Sequence, residues 1–67
     1  MNPIQAWVLS EIRKSGPVGA TQLIARAAGQ WYEPSHPTHW RRVDRAIQWL
    51  RKGDRIEYNG SKWMVKR

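Results

Sequence analysis

Between Leu50 and Ile56 the spacing of apolar residues changes. Upstream, Val43, Ile47 and Leu50 recur at three and four; downstream, Ile56 and Tyr58 and then Trp63 and Val65 recur at two. The first is the period of an α-helix with one buried stripe, the second that of a strand with one buried face. A chain with this switch must finish a helix and begin a ribbon within a few residues, and Gly53 between the two patterns predicts the helix stop. Asn59-Gly60 stands between the two apolar pairs and is the strongest short signal for a two-residue hairpin turn. That turn would set Ile56 opposite Trp63 on the core side and Glu57 opposite Lys62 outside. A lone hairpin is marginal in water, so the Ile56, Tyr58, Trp63 and Val65 side is expected to pack on helices.

The helices it could pack on are legible upstream. Asn2-Pro3 suits a capping side chain followed by the first helical position, and Ile4, Trp7, Val8 and Ile12 then make one stripe. This predicts a first helix from Pro3 to Lys14, ended by Ser15-Gly16-Pro17. A short second helix follows, with Thr21 as its cap, Leu23, Ile24 and Ala27 inward and Gly29 as its stop. Gln30 to Pro37 holds Pro34, Ser35 and Pro37 and predicts a loop. The third helix is expected from about Thr38 to Lys52, with Trp40, Val43, Ile47 and Leu50 as its buried seam. The fold class is therefore α+β, three helices with a C-terminal two-stranded hairpin, as a single domain over 1–67. A chain of 67 residues without cysteine has neither disulfides nor thiolate zinc to supplement its core, so it must rely on packing, to which its five tryptophans are suited.

Charge is distributed unevenly over this plan. From Thr38 to Arg67 there are nine basic and three acidic residues, which accounts for +6 of the chain's net +7. Winding the third helix at 100° per residue puts Arg41, Arg45, Gln48 and Lys52 opposite the seam, flanked by Arg42 and Trp49. A solvated helix face normally mixes signs, and only Asp44 lies near the edge of this one. A cationic field concentrated on one end of a small domain attracts a polyanion through counterion release. That is the profile of a nucleic-acid reader. Arginine can present two donors to guanine and glutamine can pair with adenine, so Arg41, Arg45 and Gln48 are the candidates for base contact. Arg42, Lys52 and Lys62 suit phosphates.

The order of elements resembles a winged helix-turn-helix domain over nearly the whole chain. Ala20-Thr21-Gln22-Leu23-Ile24-Ala25-Arg26-Ala27-Ala28-Gly29 resembles that family's second helix, and the run from Val43 to Ile56 resembles its recognition helix with a Leu-x-x-x-Gly-x-x-Ile entry into the wing. The resemblance implies double-stranded DNA as the partner. It implies a recognition helix over 38–52 entering the major groove and a wing over 55–66 that touches backbone or minor groove, with Asn59, Gly60, Ser61 and Lys62 at its tip, of which Asn59, Ser61 and Lys62 are the backbone contacts. It also implies a small transcriptional regulator, or an architectural or recombination factor of the kind found in phages and other mobile elements, bound to DNA in the cytoplasm. Two features depart from the usual pattern. The Gln30 to Pro37 connection is long and brings Trp31, Tyr32, His36 and His39 close to the start of the third helix, and no helix is left over for dimerisation.

A second class of function stays open. Trp49 lies off the seam, so either the wing or the first loop covers it, or it anchors a protein partner together with Trp31 and Tyr32. An acidic protein or a ribonucleoprotein would suit the same basic surface. Other classes find no residues to carry them. Ser10, Ser15, Ser35 and Ser61 have no motif around them and the chain has five carboxylates in all, so no nucleophile with an oriented base can be nominated and no enzyme is expected. His36 and His39 lack a third ligand for a metal, Gly16 to Gly19 is not a phosphate loop, no cofactor is implied, and the apolar stripes are committed to the core rather than to a membrane.

Overall fold

The computed structural model describes residues 1–30 and 39–66, with His39 described by its backbone alone. The chain forms α1 (Pro3–Ser15), α2 (Ala20–Gln30), α3 (His39–Lys52), β1 (Ile56–Tyr58) and β2 (Trp63–Val65), the two strands antiparallel. This is the α+β arrangement of three helices and a terminal hairpin. Trp31, Tyr32, His36 and the loop predicted from Gln30 to Pro37 lie outside the described residues, except that Gln30 is the last residue of α2.

The helix starts share one device. At α1 the Asn2 side chain accepts from the Gln5 N–H at 2.8 Å while the Gln5 side chain accepts from the Asn2 N–H at 2.9 Å, a reciprocal capping box. At α2 the Gln22 carbonyl accepts from the Gly19 N–H at 3.0 Å, half of the same arrangement. That bond starts α2 at Ala20 and leaves Thr21 exposed inside the helix, so the cap is Gly19 and not Thr21. Gly29 likewise lies within α2 and does not stop it, because glycine is permitted in a helix at a modest cost and ends one only where the chain turns left-handed.

Val8, Ile12, Leu23, Val43, Ile47 and Leu50 are fully buried where the three helices meet, and Ile56 and Trp63 close the cluster from the hairpin side. Burying each such side chain contributes about 1.5–3 kcal/mol. Two residues of α3 differ from expectation. Trp40 is 46% exposed, so the buried seam begins at Val43. Side chains in a helix lean toward its N-terminus, and from the first turn Trp40 leans past the packed layer, where its ring carries the Arg41 guanidinium 5.3 Å from the centroid. Ala46, which the apolar periodicity passed over, is buried.

The hairpin keeps its predicted faces and changes its register. Ile56 pairs with Val65, Glu57 with Met64 and Tyr58 with Trp63, rather than Ile56 with Trp63 and Glu57 with Lys62. The cause is the Asn59 side chain, whose Oδ1 accepts from the Ser61 N–H at 3.0 Å and the Lys62 N–H at 2.8 Å. This draws the turn one residue onward, to Gly60-Ser61 with Gly60 at φ 101°, and moves every cross-strand pair by two. A shift of two preserves the faces, so Ile56 and Trp63 still point inward. Tyr58, at the end of that face, is 54% exposed and leans on Trp63 with ring centroids 5.0 Å apart.

A third segment joins the ribbon. Val18 and Trp63 exchange both backbone hydrogen bonds, Val18 N–H to Trp63 C=O at 2.9 Å and Trp63 N–H to Val18 C=O at 2.8 Å. β2 is thereby flanked on both sides, by β1 and by the connection between α1 and α2. Gly16 makes that connection possible, with φ 71° and ψ −151°, a region that side chains disfavour strongly.

Candidate nucleic-acid interface

The outer face of α3 is built by the helix's own winding. Arg41, Arg42, Arg45 and Lys52 are exposed, as is Asp44 near the edge, while Gln48 is half-buried. Among the described residues, the ion pairs are Glu11 with Lys14 and Arg26, and Asp54 with Lys66. None of them neutralises a basic residue of α3. The four cations are therefore carried on one rigid element with no described carboxylate paired to them.

The predicted contact residues differ in what they can offer. Arg41 lies near the middle of the exposed face. Gln48 has its carbonyl committed, since its Oε1 accepts from the Arg51 Nε–H at 2.9 Å. Its NH2 group and one lone pair of that oxygen remain, so pairing with adenine would have to share the oxygen with Arg51. Arg45 and Arg42 turn toward α1, where they line a cleft of about 250 Å³ with Asn2, Ile4, Gln5 and Ala46.

No family model matches the chain, and no curated protein and no solved structure matches it.

Trp49 is 41% exposed. The ring is only partly covered. Arg55, the first residue of the expected wing, lies over it with its guanidinium 5.6 Å from the ring centroid. Arg55 is held there by the helix end: its N–H donates to the Leu50 carbonyl at 3.0 Å and the Asp54 N–H donates to the Arg51 carbonyl at 3.1 Å. This pair of bonds needs a left-handed residue, and that residue is Asp54 at φ 58° rather than Gly53. The helix terminator expected at Gly53 is thus displaced by one position, because Gly53 still closes a helical bond to the Trp49 carbonyl at 3.1 Å.

At the hairpin tip Asn59, Gly60, Ser61 and Lys62 are all exposed. Asn59 spends its side-chain oxygen on the turn, where the Ser61 hydroxyl also donates to it at 3.4 Å, which leaves the Asn59 NH2 group and the Lys62 ammonium as outward donors. The arrangement orders the tip without using its cation. The described residues contain no group of three or more His, Cys, Asp or Glu side chains able to hold a metal, and no described helix is long and apolar enough to cross a membrane.

Proposed function

We propose that the chain is a winged helix-turn-helix protein that binds double-stranded DNA, with α3 as recognition helix and the β1–β2 hairpin as wing. It acts without enzymatic activity as a small transcriptional regulator or an architectural or recombination factor. The observation that carries this reading is the face of α3, on which Arg41, Arg42, Arg45 and Lys52 are exposed and unneutralised by any described carboxylate. Together they concentrate positive charge on one helix, which attracts a polyanion. In this reading Arg41 reads base edges, while Lys52 and, from the tip, Lys62 grip phosphates.

The test is the salt dependence of binding to a random duplex of 20–30 base pairs, beside a single strand and an acidic protein. Four or five phosphate contacts give a slope of log K on log salt of about −4. Duplex preference with such a slope supports the proposal. Absence of duplex binding at low salt overturns it.

One observation favours a second reading. The exposed Trp49, framed by Arg55 and standing beside Lys52 on the same face, is the composition of a protein-binding hot spot, where Trp and Arg are enriched. An acidic protein partner would bury that ring. In the same titration this reading is recognised by a quenched or blue-shifted Trp emission with the acidic protein, lost in Trp49→Ala, together with weak duplex binding.

A further inference from the structure

We propose that the cleft between the start of α1 and the first half of α3 is a phosphate site, in which Arg42 and Arg45, with the side-chain NH2 groups of Asn2 and Gln5, hold one phosphate of the DNA backbone. The inference rests on the DNA-binding reading and deepens it by moving Arg45 from base reading to phosphate grip.

The donor set makes the case. The cleft of about 250 Å³ is lined by Asn2, Ile4, Gln5, Arg42, Arg45 and Ala46, with no carboxylate among these described residues. Its two guanidiniums lie one helical turn apart, on the side of α3 that faces α1. The capping box decides how the two carboxamides enter. Asn2 Oδ1 accepts from the Gln5 backbone and Gln5 Oε1 accepts from the Asn2 backbone, so the capping box fixes both oxygens on the helix start and leaves the two NH2 groups outside it as donors. Every polar side chain lining the cleft then has a donor to offer. α1 also has no acidic residue in its first turn, so nothing there competes for the guanidiniums. Ala46, buried with only a methyl group, lets the start of α1 come close enough to α3 for the two donor pairs to share one concavity. Such a set recognises a tetrahedral oxyanion by charge-assisted bonds and rejects a carboxamide or a cation.

The deciding variant is Gln5→Glu. A glutamate at this position of a capping box bonds the Asn2 N–H as well as glutamine does and suits the positive end of the helix, so the variant folds with an unchanged or higher melting midpoint. It also places a carboxylate against the phosphate. Ser10→Glu, on the exposed side of α1, is the control for net charge. On a panel of random duplexes, Gln5→Glu should lower affinity about tenfold on every sequence and reduce the salt slope by about 1, whereas Ser10→Glu should cost about twofold. Arg45→Ala should lower affinity by one common factor across the panel. Equal losses in Gln5→Glu and Ser10→Glu, or an Arg45→Ala loss that depends on sequence, would overturn the proposal.

Inorganic phosphate supplies the second arm. At constant ionic strength it should shift the NMR signals of the Asn2 and Gln5 NH2 groups and the Arg42 and Arg45 Nε–H groups saturably in the wild type and not in Gln5→Glu, with chloride as reference. Saturation without any duplex binding would reject DNA as the occupant and uphold the cleft as a site for a small phosphate. Equal shifts with chloride and phosphate would reject the cleft as a phosphate site.

Discussion

Replacing Gly16 and Gly29 by alanine, one at a time, should move stability in opposite directions. Among the described residues neither site has a heavy atom within 4 Å of the added Cβ, so the described packing adds no crowding to either change. What differs is the backbone. Gly16 has φ 71° and ψ −151°, a conformation held almost only by glycine, and forcing an L-residue into it costs about 1–3 kcal/mol. Against that, alanine restricts the unfolded chain and returns about 0.4–1 kcal/mol. The net expectation for Gly16→Ala is a loss of about 1–2 kcal/mol, which for a chain of this length lowers the melting midpoint by roughly 5–15 °C. Gly29 lies inside α2, so the same methyl should raise stability by about 0.5–1 kcal/mol. Thermal and urea denaturation monitored by far-UV circular dichroism would measure both. A Gly16→Ala protein as stable as the wild type would refute the assigned backbone geometry, and a destabilised Gly29→Ala protein would show that α2 ends before Gln30.

Trp63→Ala should leave most of the protein unfolded at 25 °C. The truncation of a buried aromatic costs about 3–5 kcal/mol, as much as the roughly 3–5 kcal/mol that a single core of this size supplies, and a sharp, well-dispersed proton NMR spectrum of the variant would contradict this. Asp54→Gly should stabilise by about 0.5–1 kcal/mol, because Asp54 occupies a left-handed conformation and its ion pair with Lys66 is exposed on both sides. A drop in urea midpoint would instead assign that ion pair a larger role. Under the DNA-binding proposal, Arg41→Ala should weaken a preferred site by about 1–3 kcal/mol and change its base preference, while Lys62→Ala weakens all duplexes alike. Equal and uniform losses at both positions in competition binding would count against base reading by Arg41.

The elements themselves were legible because they depend on apolar period and on breakers, which are local. The helix-to-strand switch around Gly53, the Asn2-Pro3 start and the Gly16-Pro17 break all correspond to element ends in the structure. Where the reading slipped, a side chain had competed with the backbone for a hydrogen bond. Gln22 bonding back to Gly19 advanced the start of α2, and Asn59 bonding forward to Ser61 and Lys62 displaced the turn. Asn-Gly predicts a turn centred on those two residues. Only the local geometry shows that Asn59 serves better as the residue before it. Trp40 slipped for another reason: periodicity assigns a direction around the helix but not how far the packed layer extends along it. The candidate site was legible in its charge and not in its grouping. Helical winding brought Arg41, Arg45 and Lys52 to one face, but nothing in the spacing of α3 indicates that the start of α1 would close over Arg42 and Arg45. The Gln48–Arg51 bond was within reach, since the pair is three apart on one helix.

The backbone exchange between Val18 and Trp63 has a consequence for how such a chain can change over time. β2 hangs between two supports, one from the first third of the chain and one from β1, so the aim of the tip at Asn59 to Lys62 is set partly by residues far from it in sequence. A substitution at Gly16 or Pro17 that shifts Val18 must carry Trp63 with it, and with Trp63 the tip that leads into it. The loop that would meet a ligand can therefore be re-aimed without touching any residue that contacts that ligand. Variation confined to the α1–α2 connection would then be read at the binding surface as a change of preference, while every contact residue stayed the same.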